Sequence, residues 1–399
     1  MDFAVHSDPL YQWIKLPTQI QNIMVTPQFM RLQHVAHSSL PSRLSPLAST
    51  ANKFNHSLGV WHLATIVEAR SEFRHLAPNI QFAAMLHDVA SPCFTHLMCA
   101  RMQKIIGKSH ENMAADILQE EPLCTCIQRH GGDIKIIADL IDGKFLPWGN
   151  IVNGPLDVDN IDGIPRFGLK AGLWSEKCPC DPAELAKSMT IKEGRIVFED
   201  SASDQIDAWL QCRWDVMDAI HDEAAVSDAM LWRAVDMVAS TNELSPQVFR
   251  FTDGKMMKWL SENSPLAERI LNLIGKPETY KEVFKRLVPV SIARQAQVEC
   301  SDRTQLANLL ASEASIGPEY VAVYVDIDRR YRTVPMESGE NRQHPRATSE
   351  TEVHIGVYVH PAYSHYPNCL MRMTPSSRTL MPARWKSITP SITRHILIN

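Results

Sequence analysis

The sequence predicts a mostly α-helical protein with a small β-hairpin insertion and a small C-terminal α+β lobe. Three observations carry this. From Asn55 to about Leu146, apolar residues recur at helical spacing, as in His56 with Val60, Leu63 and Val67 on one face. Two further helical stretches, 204–225 and 227–238, place Trp214, Met217, Ile220 and His221 on spacing suited to one face, with His221 read as a core histidine. β-type alternation is confined to short segments at 190–198, 320–327 and 353–359.

Taken in order, residues 1–50 read as loop-rich, with helical stretches at 11–25 and 27–36. Pro41, Pro46 and the serines between them mark a surface loop. Ser109-His110-Glu111-Asn112 opens a helix through Ala114, Ile117 and Leu118, and 134–146 reads as another, ended near Pro147. Segment 190–198 is a hairpin with its turn at Glu193-Gly194. Thr252 or Asp253 caps a short helix. Beyond a polar loop at 337–350 comes the second C-terminal strand, and the Pro-, Ser-, Thr- and Arg-bearing end reads as a poorly ordered or partner-bound tail. The expected divisions are 1–50, 51–170, 171–310, 311–370 and 371–399.

The chain has 399 residues, 45% hydrophobic and 21% charged, with a net charge of −5. Its pI of about 6.3 gives no global basic field that would indicate a nucleic-acid partner. No apolar run reaches the ~18 residues of a spanning helix, so no membrane role is expected. Met1 to Pro17 lacks a basic-then-apolar signal, and an intracellular, cytoplasmic protein is expected. Cys124-Thr125-Cys126 and Cys178-Pro179-Cys180 are C-x-C pairs, not the C-x₂-C pairs of common zinc modules, and are expected to be reduced thiols. Neither a GxxxxGK[ST] loop nor a GxGxxG after a strand occurs, which argues against P-loop and Rossmann enzymes.

The chemistry gathers around Met85-Leu86-His87-Asp88. Apolar Ala83 to Leu86 carry Asp88 toward a dry interior, where a carboxylate needs a cation or hydrogen-bond donors. Adjacent helical residues point about 100° apart, so both side chains can reach one ion off the helix end. A catalytic metal takes three or more ligands. His56, facing into the bundle, and Asp159, in the acidic run after Pro155, are the candidates for the rest. Two histidines and two carboxylates suit Mn, Fe, Zn or Mg, with positions open for water and substrate.

This H…HD…D set resembles the HD-domain metal-dependent phosphohydrolases, and the wider match resembles their deoxynucleoside triphosphate triphosphohydrolase (dGTPase-like) branch. Residues Thr26 to Leu32 are similar to that branch's N-terminal segment, which includes Arg31. Lys53-Phe54-Asn55-His56-Ser57-Leu58-Gly59 is similar to its R-F-E-H-S-L-G. His87-Asp88 with Pro92, Phe94, Thr95 and His96 resembles its H-D-x-x-x-x-x-F-[ST]-H, Ser109-His110-Glu111 its T-H-E, and Asp157-Val158-Asp159 its D-V-D. The five blocks occur in order over roughly residues 8–290. The resemblance implies an HD-domain helical bundle and metal ligands His56, His87, Asp88 and Asp159. It implies that His96, His110 and Glu111 serve catalysis at the scissile phosphate. Lys53, Arg166, His37 and Arg31 would contact a nucleotide substrate, and the chain would assemble as a tetramer or hexamer.

Four positions depart from the branch. Ser91 stands where it has a histidine, Cys99 where some members carry an aspartate, Gly163 where a tyrosine contacts the sugar, and His37 where a glutamine meets the deoxyribose edge. None is a metal ligand; all touch substrate reading or proton handling. Two alternatives therefore stand beside a triphosphohydrolase. One is a phosphodiesterase, phosphatase or nuclease using the same site, and the other a decayed nucleotide-sensing oligomer.

Overall fold

The computed structural model describes residues 3–39, 51–175, 177–276, 278–290, 303–347 and 351–363. The Pro41–Pro46 loop and the 371–399 tail lie outside them.

The chain begins with a β-hairpin, β1 (Phe3–Asp8) against β2 (Gln12–Pro17), where a helix over 11–25 was expected. Helix α1 (Thr18–Met24) covers only the second half of that stretch. Two features explain the difference. Ile14 and Leu16 are buried while Trp13 and Lys15 are exposed, a period of two. The Asp8 carboxylate also accepts from Leu10 N at 2.9 Å and Tyr11 N at 3.2 Å, closing a turn that a helix would have to open.

The central helix is α2 (Lys53–Glu68), capped by Asn52, whose side chain accepts from Asn55 N. It is buried along most of its length between α3 (Asn79–Leu86) and α7 (Val158–Ala171). Between these come α4 (His96–Ile106), α5 (His110–Ile117), opened by Ser109 as its cap, and α6 (Ile134–Ile141). Helix α6 stops short of 146 because Gly143 takes a left-handed φ of 69°.

The 190–198 hairpin is β3 (Met189–Lys192) with β4 (Arg195–Phe198). Both turn residues have positive φ, 50° at Glu193 and 71° at Gly194, as a primed hairpin turn requires. The expected pair of helices after it is one rod. Helix α8 (Ser203–Ala219) runs through a π-turn, Ile220–Ala224, into α9 (Ala225–Ala239). No breaker lies between them; the wider turn absorbs the change in phase. Thr252 caps α10 (Asp253–Asn263), which leads to α11 (Pro265–Leu273).

The C-terminal lobe is a three-stranded antiparallel sheet of β5 (Lys281–Pro289), β6 (Val321–Ile327) and β7 (Glu352–Val359), with β7 central and α12 (Arg303–Ala314) against β6. Strand β5 falls in the stretch read as outer helices. Its Lys281, Glu282, Lys285 and Arg286 mask the alternation, because an edge strand with one wet face carries charges there. No helix among the described residues is long and apolar enough to cross a membrane.

Candidate metal centre and substrate cleft

Helices α2, α3 and α7 deliver four side chains to one point. His87 is the C-cap of α3, so its ring and that of Asp88 leave the helix end together. His56 Nε2 lies 2.8 Å from Asp159 Oδ1 and 3.6 Å from Asp88 Oδ2. His87 Nε2 lies 3.1 Å from Asp88 Oδ2 and 3.6 Å from Asp159 Oδ1. His56, His87 and Asp88 are buried, while Asp159 is partly open to the cleft.

The outward nitrogen of each ring is already committed. His87 Nδ1 donates to Ala84 O at 2.8 Å, and His56 Nδ1 donates to Asp162 Oδ1 at 2.7 Å. Each ring so tied turns its Nε2 to the centre, where, although burial opposes it, Asp88 and Asp159 raise the His87 pKa well above the usual value until a metal takes the proton's place. His87 Nε2 and Asp88 Oδ2 are buried without a well-aligned hydrogen-bond partner. Lys53 Nζ, 2.6 Å from that oxygen, supplies positive charge instead. Although burial opposes it, Lys53 and His87 hold the Asp88 carboxyl well below the usual carboxylate range. Facing lone pairs and two carboxylates fit a divalent cation. Ser91, at the branch's histidine position, donates to Asp88 Oδ1 at 2.5 Å and fixes that carboxylate.

Behind His56 stands a buried network. Arg166 donates from Nε and Nη2 to the two oxygens of Asp162, at 2.7 and 2.9 Å, and from Nη1 to Asp8 at 2.8 Å. Tyr11 donates its hydroxyl to Asp162 at 2.8 Å. Arg166 was expected to meet substrate phosphate. The structure places it on the far side of Asp162, fully buried, with its guanidinium spent on two carboxylates. Gly59 leaves room for that pair: a Cβ there would run into Asp162 Oδ2 and Arg166 Nη2. Gly59→Ala is expected to destabilise the fold by about 1–3 kcal/mol and to weaken metal binding about 10–100-fold by disturbing the His56 support. Thermal melting and metal titration check both.

Arg31, also expected at the substrate, is put to another use. Its guanidinium donates to Val89 O, Ser91 O and Phe251 O at 3.2, 2.6 and 3.2 Å, clamping the turn after the His-Asp pair. His37 is brought to the centre. It packs against His56 with ring centroids 4.3 Å apart and the rings tilted by 45°, and burial, then His56 and Lys53, lower its pKa well below the usual value. Its Nε2 would lie 3.4 Å from a Cβ on Gly163. Two departures from the branch are therefore one feature: the His37 ring covers the face of α7 that a side chain at 163 would fill.

His96 opens α4 at the cleft mouth, where its ring reaches solvent yet is crowded by the protein atoms that line the cleft. The preceding Phe94 and Thr95 adopt φ of 57° and 39°, strained values for residues with side chains. Asp253 holds the strain in place, accepting from Phe94 N and Ala36 N, both at 2.8 Å. Desolvation, then the charges of Lys53, Arg329 and His110, lower the His96 pKa. His110 lies 3.7 Å from Cys99 Sγ and 3.3 Å from Glu111. Burial and Glu111 push the Cys99 thiol up to about 12, so it stays protonated where an aspartate would be charged. Arg329, exposed after β6 and acting on His96, is a cation that sequence reasoning missed. No local motif marks it. Asp162 and Arg166 were legible as an i, i+4 pair on one helix face, but Asp8 and Tyr11 arrive on a hairpin whose first strand was read as loop and whose second was read as helix.

No family model matches the chain. Over 223 residues, 48% of the chain, it is 26% identical to the deoxynucleoside triphosphate triphosphohydrolase SAMHD1 homolog of Dictyostelium discoideum, covering 40% of that protein. Over 101 residues, 23% of the chain, it is 32% identical to the deoxynucleoside triphosphate triphosphohydrolase SAMHD1 of Danio rerio, covering 16% of it. The chain thus spans less than half the length of either relative. A hypothetical protein of Aquifex aeolicus superposes with a TM-score of 0.71 at 16% identity, over 93% of this chain and 100% of its own. A phosphohydrolase of Bacteroides thetaiotaomicron gives 0.63 at 16% identity, over 88% and 99%. These two share the fold. The order of the motif blocks and the sequence relatives make the chain similar to the HD-domain deoxynucleoside triphosphate triphosphohydrolases, and the solved structures share its fold.

Proposed function

We propose that the chain is a metal-dependent phosphohydrolase of nucleotides, and specifically that it releases triphosphate from deoxynucleoside triphosphates. The observation that carries this is the convergence of His56 Nε2, His87 Nε2, Asp88 Oδ2 and Asp159 Oδ1, with each imidazole's other nitrogen already donated. These four residues would hold Mn, Mg, Fe or Zn. When bound, a divalent ion supplies an acidified water and charge against the phosphate oxygens.

The remaining roles belong to side chains around the cleft. Lys53 attracts the phosphate tail as a point charge and Arg329 through its planar guanidinium. His110, steadied by Glu111, lines the scissile phosphate. His96 protonates the leaving oxygen. Desolvation, then the cations around it, lower its pKa, and an anionic triphosphate alongside offsets the cations. Homo-oligomeric assembly is part of the same reading, and light scattering on the purified chain tests it.

The test offers each dNTP and rNTP with Mn, Mg and Fe in separate reactions and resolves products by ion exchange. Deoxynucleoside plus triphosphate is the expected result. Orthophosphate or nucleoside monophosphate would move the chain to a second reading, a phosphodiesterase or phosphatase at the same site. The His37–Gly163 arrangement favours that reading, since an imidazole occupies the sugar-facing surface. Binding with no turnover under any metal would leave a nucleotide-sensing protein. Gly163→Tyr alone is expected to displace His37 and destabilise the fold. Combined with His37→Ala, the loss should shrink, with a coupling of about 0.5–3 kcal/mol in a double-mutant cycle.

A further inference from the structure

Three cysteines distant in sequence meet away from the cleft. Cys178 and Cys180 lie just before the short helix Pro182–Lys187, and Cys212 projects from α8. Their Sγ atoms all lie within 4.8 Å of one another, with Cys178 and Cys180 at 3.5 Å. All three are free thiols; Cys180 and Cys212 are buried and Cys178 is half-buried. Three sulfurs at ~2.3 Å from a tetrahedral zinc stand ~3.8 Å apart, so little movement separates this cluster from a ligand set. A disulfide would draw two sulfurs to ~2.05 Å and leave the third without a partner. Hydrogen bonds from Cys180 and Cys212 lower the Cys178 thiol, while those two thiols are themselves pushed up.

We propose that Cys178, Cys180 and Cys212 form a zinc-binding site separate from the HD centre, with its fourth position open on the Cys178 side. Soft thiolate donors select zinc over the hard ions that suit the mixed N/O set at the HD centre. The site braces the segment between α7 and the hairpin against α8. That helix also carries Trp209 and Arg213, which donate to the backbone and side-chain oxygens of Asn160, next to Asp159, both at 3.2 Å. The bound zinc therefore stiffens the wall behind one candidate ligand of the HD centre without entering the reaction.

The test uses the full chain carrying His87→Ala, so that the HD centre does not compete. Protein stripped by chelator under reductant is refilled with zinc, alkylated and mapped by peptide mass spectrometry. Zinc is expected to slow alkylation of Cys178, Cys180 and Cys212 at least about tenfold, while Cys124 and Cys126 react alike with and without it. Cobalt in place of zinc should give thiolate charge-transfer absorption that Cys212→Ser abolishes. Cys178→Ser, at the half-buried position, gives the same readout if the Cys212 variant does not fold. Equal alkylation with and without zinc, or cobalt binding without thiolate charge transfer, would overturn the proposal. So would a disulfide between two of the three in protein isolated without reductant.

Discussion

His87→Ala is expected to remove nucleotide hydrolysis, with a fall in kcat/KM beyond the ~10–100-fold that changes around a metal's outer supports produce. The ring contributes one of four atoms facing the centre, and its Nδ1 bond to Ala84 O serves only to aim it. Nε2 makes no well-aligned hydrogen bond, but the metal-free variant loses the His87–Asp88 pair at 3.1 Å, so its stability should fall, though by less than its activity. Metal content by mass spectrometry and melting in chelator separate the two effects. Unchanged turnover in His87→Ala would mean that chemistry occurs elsewhere.

Arg166→Met is expected to have the largest effect on stability, about 3–5 kcal/mol, since it strands two buried carboxylates. Asp8 and Asp162 are 3% and 0% exposed, and Arg166 is the cation that both engage. If Arg166 met substrate instead, the variant would keep its melting temperature and raise KM. The pH dependence gives a second reading. Against the pull of burial, the Arg166 guanidinium holds the Asp162 carboxyl well below the usual carboxylate range. A depressed folded-state pKa adds stability above the unfolded value of about 4, lost as pH falls through the folded pKa. The wild type should therefore weaken only in strong acid. In Arg166→Met burial raises the stranded Asp162 carboxyl, so moderate acidification should recover stability as it takes up a proton.

The convergence of the candidate metal set was legible because each candidate ligand sits in a short motif and at a helix boundary that sequence marks. Asn52 caps α2 ahead of His56, and Asp157 caps α7 ahead of Asp159, accepting from Asn160 N at 2.7 Å. The supports were not legible. Asp8 and Tyr11 belong to a hairpin whose two-residue alternation covers only Ile14 and Leu16, too short a run to outweigh a helical pattern. Arg166 and Arg31 were assigned by charge alone, and charge does not say whether a guanidinium faces phosphate, a buried carboxylate or backbone carbonyls. The π-turn and β5 were missed for a related reason. A change of helical phase leaves no breaker residue, and a charged edge strand carries the composition of an exposed helix. The three-thiol cluster depends on how α8 lies against the preceding segment, a tertiary fact that C-x-C spacing does not contain.

The most direct test of the account is anomalous diffraction from crystals soaked in manganese. The expected result is a peak about 2.0–2.2 Å from His56 Nε2, His87 Nε2, Asp88 Oδ2 and Asp159 Oδ1, with Lys53 swung off Asp88. A fully active protein whose manganese peak lies elsewhere, with these four side chains uncoordinated, would contradict it.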